Sequence, residues 1–109
     1  MAEAIKVLGQ SAPSATTNTS VYTVPSATEA VISTIVIANR AGTAGTFRLA
    51  VRPNAASLSD EHYLAYDVPL AANDSTTLTL GITMDAADVL TAYCSSSDMS
   101  INVFGTEIS

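Results

Sequence analysis

The chain has 109 residues, room for one hydrophobic core, and is 48% hydrophobic but only 13% charged. Its net charge is −6 and it has a single cysteine, which excludes a basic nucleic-acid footprint, an internal disulfide and the multi-cysteine zinc motifs. So low a charge density suits either a surface hidden against partners or a small β-domain whose surface is built from Ser and Thr.

The charge is unevenly placed. Lys6, Arg40, Arg48 and Arg52 all lie in the first half, whereas residues 54–109 hold eight acids and no Lys or Arg. Such asymmetry either drives head-to-tail contacts between copies or is mixed away when the halves fold together.

In chain order, "MAEAIKVLGQ" (1–10) lacks a basic region followed by an apolar core, so it does not read as a signal peptide. No apolar run approaches the roughly 18 residues that a membrane helix needs, so no membrane partner is expected. "GQSAPSATTNTS" (9–20) is small, polar and without period. It predicts a loop, or an extended arm that docks on a neighbour. The expected organisation is thus an N-terminal strand with an arm or loop over 1–20, then a sandwich domain over 21–109. "AVISTIVIA" (30–38) is apolar on both faces and β-branched, which predicts a central strand covered on both sides.

After it the period is two. "TFRLAVR" (46–52) sets Phe47, Leu49 and Val51 against Arg48, Ala50 and Arg52. "YLAYDVPL" (63–70) groups Leu64, Tyr66, Val68 and Leu70, and "LTLGITM" (78–84) groups Leu78, Leu80, Ile82 and Met84. "MDAADVL" (84–90) offers one helical turn with Asp85 as its cap, "LTAYCSS" (90–96) gives Cys94 a small, semi-buried strand position, and "MSINV" (99–103) aligns Met99, Ile101 and Val103. Breakers such as "NRAGTAG", "RPNAASLSD" and "LAAND" separate the runs. Strands at roughly ten-residue spacing predict an all-β fold, a single antiparallel β-sandwich of about eight strands with jelly-roll or immunoglobulin-like wiring.

One stretch looks chemical. "DEHYLAYD" (60–67) packs Asp60, Glu61, Asp67, the only histidine (His62) and two tyrosines into eight positions. On a strand over 62–70, His62 falls on the face of Leu64 and Tyr66, and Asp67 on the other. Metal or proton-relay chemistry needs groups converging on one point, and this spacing separates them. The tyrosines supply contact area instead. No G-x-S-x-G elbow, phosphate-binding glycine loop or calcium loop is present. No catalytic, cofactor or metal residue is assigned, and no enzymatic activity is expected. A metal-assisted enzyme built around His62 is the reading from a different class, and a Cys94–His62 pair would need the fold to join them.

Several stretches in order resemble small virion structural proteins of tailed bacteriophages. They are "VYTVP" (21–25), "VISTIVIANRAGTAGTFRLAV" (31–51), "YLAYDVPLAANDSTTL" (63–78) and "DVLTAYCSSSDMSINVFGTEIS" (88–109). Each is ordinary strand-and-turn grammar, and the ordered set carries the likeness. The resemblance implies a β-sandwich used structurally, with no enzymatic residues to carry over. The expected role is a capsid decoration or cement protein on the head, located in the virion after assembly in the host cytoplasm. The alternative is a tail, baseplate or fibre component whose loops meet the host surface. The expected partners are the major capsid protein or other virion proteins and further copies of the chain, in a small ring such as a trimer. Contacts are expected from the N-terminal segment, including Ile5 and Val7, and from Arg48 and Arg52 on the wet face of their strand.

Overall fold

The structure is a computed structural model that describes residues 2–109. Nine strands run in the order β1 (Glu3–Ser11), β2 (Thr19–Thr23), β3 (Glu29–Asn39), β4 (Gly45–Arg52), β5 (Tyr63–Leu70), β6 (Ser75–Leu78), β7 (Ile82–Met84), β8 (Val89–Cys94) and β9 (Met99–Ile108). They form two antiparallel sheets. Sheet A has the order β1-β9-β3-β6, with β7 also paired to β3, and sheet B has the order β2-β8-β4-β5.

The pairs nest. β4 pairs with β5, β3 with β6 and β7, β2 with β8, and β1 with β9. The chain is therefore one long antiparallel hairpin wrapped into two sheets, and the cross-pairs β3–β9 and β4–β8 hold each sheet together. That is jelly-roll wiring, which excludes the immunoglobulin-like alternative. β6 and β7 act as one strand interrupted at residues 79–81, where Gly81 adopts a φ of 64°. The nine strands thus occupy eight positions of the roll.

The inner faces bury Ile35, Ile37, Phe47, Leu49, Leu90 and Ile101 at 1% exposure or less. Each such side chain contributes roughly 1.5–3 kcal/mol by leaving water. Alternation along β9 follows the sequence pattern; in β4 Phe47 and Leu49 are buried as expected, but Ala50, on the outer side, is also buried and Val51 is only half-buried. In β3 the phase slips at Ser33, which bulges against β9 and donates its hydroxyl to the Phe104 carbonyl. Ala30 and Ile32 point inward before the slip, Ile35 and Ile37 after it. β3 is a central strand, between β9 and β6, as expected; its outward Val31, Val36 and Ala38 are half-buried, and no layer of the described chain covers that second face.

Gly105 sits where β9 passes the slipped part of β3. A Cβ there would overlap the Val31 carbonyl oxygen and press on Ile32 Cα, so only glycine lets the two backbones pair. Buried Asn39 ends β3. Its amide donates to the carbonyls of Thr43, Leu70 and Ala71, and its Oδ1 accepts the Ala41 N–H. A single side chain thereby joins the β3–β4 turn to the end of β5 with no polar atom left unsatisfied.

The 1–20 segment divides into β1, an integral edge strand, and a loop over residues 12–18; β2 begins before the expected boundary at Ser20. The chain ends are held by the sheet itself, Ala2 and Ser109 exchanging both backbone hydrogen bonds. The helical turn expected at "MDAAD" is instead a tight turn: the Asp88 N–H donates to the Asp85 carbonyl and Ala87 takes a φ of 71°. The Asp88 carboxylate accepts the N–H groups of Asp85 and Asn54, which holds the turn without a helix.

Candidate functional site

The "DEHYLAYD" stretch divides into two structures that share no chemistry. Asp60–His62 forms a single 3₁₀ turn opened by Ser59. The His62 N–H donates to the Ser59 carbonyl at 3.1 Å, and His62 Nδ1 accepts the Ser59 N–H at 3.2 Å. His62 thus caps the turn that carries it. Glu61 titrates below the usual carboxylate range because a backbone amide and the Ser59 hydroxyl donate to it. Cys94 does not meet His62. It is completely buried in the core, where loss of hydration pushes its thiol up to about 11, so it is a packing residue and not semi-buried as its strand pattern predicts. Among the described residues no three His, Cys, Asp or Glu side chains converge on one point.

Tyr63–Leu70 is the second structure, and here the expected alternation is corrected. Leu64 and Tyr66 do not share a face with Val68 and Leu70: Leu64 is 46% and Tyr66 56% exposed, whereas Leu70 is buried. The reason is a pair of β-bulges. Leu49 pairs with Ala65 and Phe47 with Val68, so Tyr66 and Asp67 together oppose the single residue Arg48; Leu64 is a second extra residue. Asp67 carries the first bulge with a φ of 49°. Consecutive strand residues normally point to opposite faces, but a bulge re-aims them. Tyr66 and Asp67 consequently reach the same guanidinium.

A compact cluster results on the outer face of sheet B. Arg48 Nε donates to Asp67 Oδ1 at 2.6 Å, and the second contact, to Oδ2, is 3.3 Å. The guanidinium carbon lies 4.1 Å from the centroid of the Tyr66 ring on β5 and 4.2 Å from that of Tyr93 on β8. β4 runs between those strands, so the rings flank the cation from both sides. Tyr63 meets Tyr66 edge to face, with centroids 4.9 Å apart and planes at 89°. The hydrogen bond to Asp67 drives Arg48 still further toward the charged state, while partial burial works against it. Planar stacking and a forked carboxylate contact hold the guanidinium in one pose, which a lysine could not reproduce.

The four residues expected to make partner contacts fall on two opposite surfaces. Arg48 and Arg52 belong to the outer face of sheet B. Arg52 is engaged inside the chain, donating to Thr91 Oγ1, the Ala56 carbonyl and Ser20 Oγ. Ile5 and Val7 lie on the outer face of sheet A at the β1 edge, 89% and 46% exposed. Phe104 pairs with Val7 across β9, and Thr106 with Ile5. Tyr63, Tyr66, Asp67 and Tyr93 are site residues that alternation alone does not find. Their spacing becomes meaningful only once the bulge is known.

Folding also mixes the uneven charges. Lys6 pairs with Glu107 at 2.9 Å and Arg48 with Asp67, each joining the basic half to the acidic half. Glu107 additionally accepts the Tyr22 hydroxyl at 2.6 Å. That contact and Lys6 hold the carboxyl below its ordinary range, and burial together with Glu107 raises the Tyr22 hydroxyl. Two adjoining open clefts of about 410 Å³ each lie at the opposite end of the roll from the β3–β4 turn, lined by Glu29, Asp85 and Ile108. They hold no His, Cys or Lys, and the lining Asp88 carboxylate is committed to its turn. The chain matches no protein-family profile, no curated protein and no solved structure.

Proposed function

We propose that this chain is a structural protein of a tailed-phage virion, a decoration or cement protein that stabilises the head by fitting its outer faces against neighbouring subunits. The observation that carries this reading is the Tyr66–Arg48–Tyr93 stack. Tyrosine and arginine are the residue types that concentrate binding energy at protein interfaces. Here they are immobilised before any partner arrives, so little side-chain freedom is left to lose on docking. The apolar strip around Ile5 and Val7 occupies the other side of the same rigid sandwich. Two unlike contact faces back to back suit a protein that ties two neighbours together, and many weak contacts sum when a particle repeats them. The ordered resemblance to small phage virion proteins supplies the biological setting, and a low charge content fits surfaces that end up covered.

The experiment is a pelleting assay with the full chain and undecorated shells of the phage that encodes it. Wild type is expected to co-sediment at saturating stoichiometry. Tyr66→Ala removes a largely exposed ring without entering the core. It is expected to weaken binding by tenfold or more, as loss of an interface hot spot of about 2 kcal/mol does, with the melting temperature nearly unchanged. Wild type that ignores shells at every concentration would overturn the proposal, and binding to tails instead would move it to the tail.

A further inference from the structure

We infer that β1 is a docking edge for a second copy of this chain, the two β1 strands pairing antiparallel across a two-fold axis to join both A sheets. An unpaired sheet edge presents a row of free N–H and C=O groups, and proteins ordinarily blunt such edges. Three of the four edges here are blunted. β5 carries two bulges and Pro69, which has no N–H to donate. The β6–β7 edge is interrupted at residues 79–81. β2 is five residues long, slips register between Ser20 and Tyr22, and has Gly9 of β1 packed against the Val21 carbonyl.

β1 has no such device over its first half. It is nine residues long and pairs regularly with β9 from Glu3 to Val7, with its one slip beyond that point. Among the described residues its backbone bonds run to β9 alone, with the adjoining Ala2 paired to Ser109. Every second residue therefore aims its N–H and C=O away from the sheet. Its charge guard is also withdrawn, since Lys6 is drawn back over its own sheet by Glu107 at 2.9 Å. Ile5, the most exposed large apolar side chain among the described residues, stands at this edge.

The occupant must be an extended strand, because only a strand satisfies a row of backbone groups, and the side chains specify a second copy. A two-fold axis at Ile5 sets Ile5 opposite Ile5 of the second copy, Glu3 opposite Val7, and Ala4 opposite Lys6. No like charges face each other, and on the outer face Ile5 meets Ile5 of the second copy while Val7, beside Phe104, meets Glu3. A shift of the axis to Lys6 would set two lysines opposite one another, which disfavours that register. The pairing is isologous and closes on itself, so it removes the edge without building fibres. It leaves sheet B free and does not depend on what that face binds.

The test combines sedimentation with cross-linking of the full chain. Wild type is expected to sediment as a dimer, and Ile5→Lys as a folded monomer with an unchanged β-sheet spectrum. Ile5→Cys is expected to form an intermolecular disulfide at least tenfold faster than Leu80→Cys, whose parent side chain is 50% exposed; buried Cys94 does not compete. A wild-type monomer, a dimer indifferent to Ile5→Lys, or equal cross-linking rates would overturn the inference. A monomer whose β1 amides become protected only on particles would assign the edge to another protein's strand, overturning the second-copy pairing while the proposed function stands.

Discussion

Arg48 and Gly105 show how far single residues govern this molecule. Arg48 reads from the sequence as a wet-face cation, and it is one. Its partners were not legible, because alternation sends Asp67 to the opposite face from Tyr66 and only the bulge brings both to the guanidinium. Gly105, in "NVFGTEI", is the point where β9 touches the slipped backbone of β3. Gly105→Ala is expected to destabilise the fold by about 1–3 kcal/mol, the range for overpacking against a wall that cannot yield. Urea unfolding should show a lower midpoint with an unchanged slope. A midpoint equal to that of wild type would mean that β3 can move aside.

At the scale of elements, the period-two pattern located most strands because each has one dry face, and it failed where a residue was inserted. β5 reads as continuous alternation from Leu64, and two extra residues break its phase; along β6–β7 Leu78, Ile82 and Met84 keep the expected inward face and only Leu80, at the interruption, is turned out to solvent. Single inserted residues leave no compositional mark beyond Gly81, so their positions are set by pairing with distant strands. The "DAAD" turn has a comparable lesson. Asp85 resembles a helix cap, but Asp88 takes two backbone N–H groups at 2.8 and 2.9 Å, one from a different loop, and fixes a turn instead. Asp88→Ala is expected to cost about 1–2 kcal/mol by leaving both donors without that acceptor. Thermal melting checks this, and Asp88→Asn, which keeps an acceptor oxygen, should recover part of the loss. Equal melting of the alanine variant and wild type would remove the turn from the account.

For the whole molecule, sandwich class followed from strand number and spacing, whereas jelly-roll wiring did not, because nothing local records that β1 returns to β9. The charge asymmetry along the chain is a sequence feature that folding dissolves into the Lys6–Glu107 and Arg48–Asp67 pairs. What remains is a rigid roll with an aromatic, arginine-centred face on one side and an apolar strip on the other. Its one histidine caps a turn and its one thiol is sealed in the core. The account's central claim is that this molecule acts by docking those faces on other proteins. Imaging of the virion at side-chain resolution tests it most directly. Many copies on the shell with Tyr66, Arg48 and Tyr93 buried against a neighbouring subunit are the predicted result; a copy bound with that face open to solvent, or no copy on the particle, would contradict it.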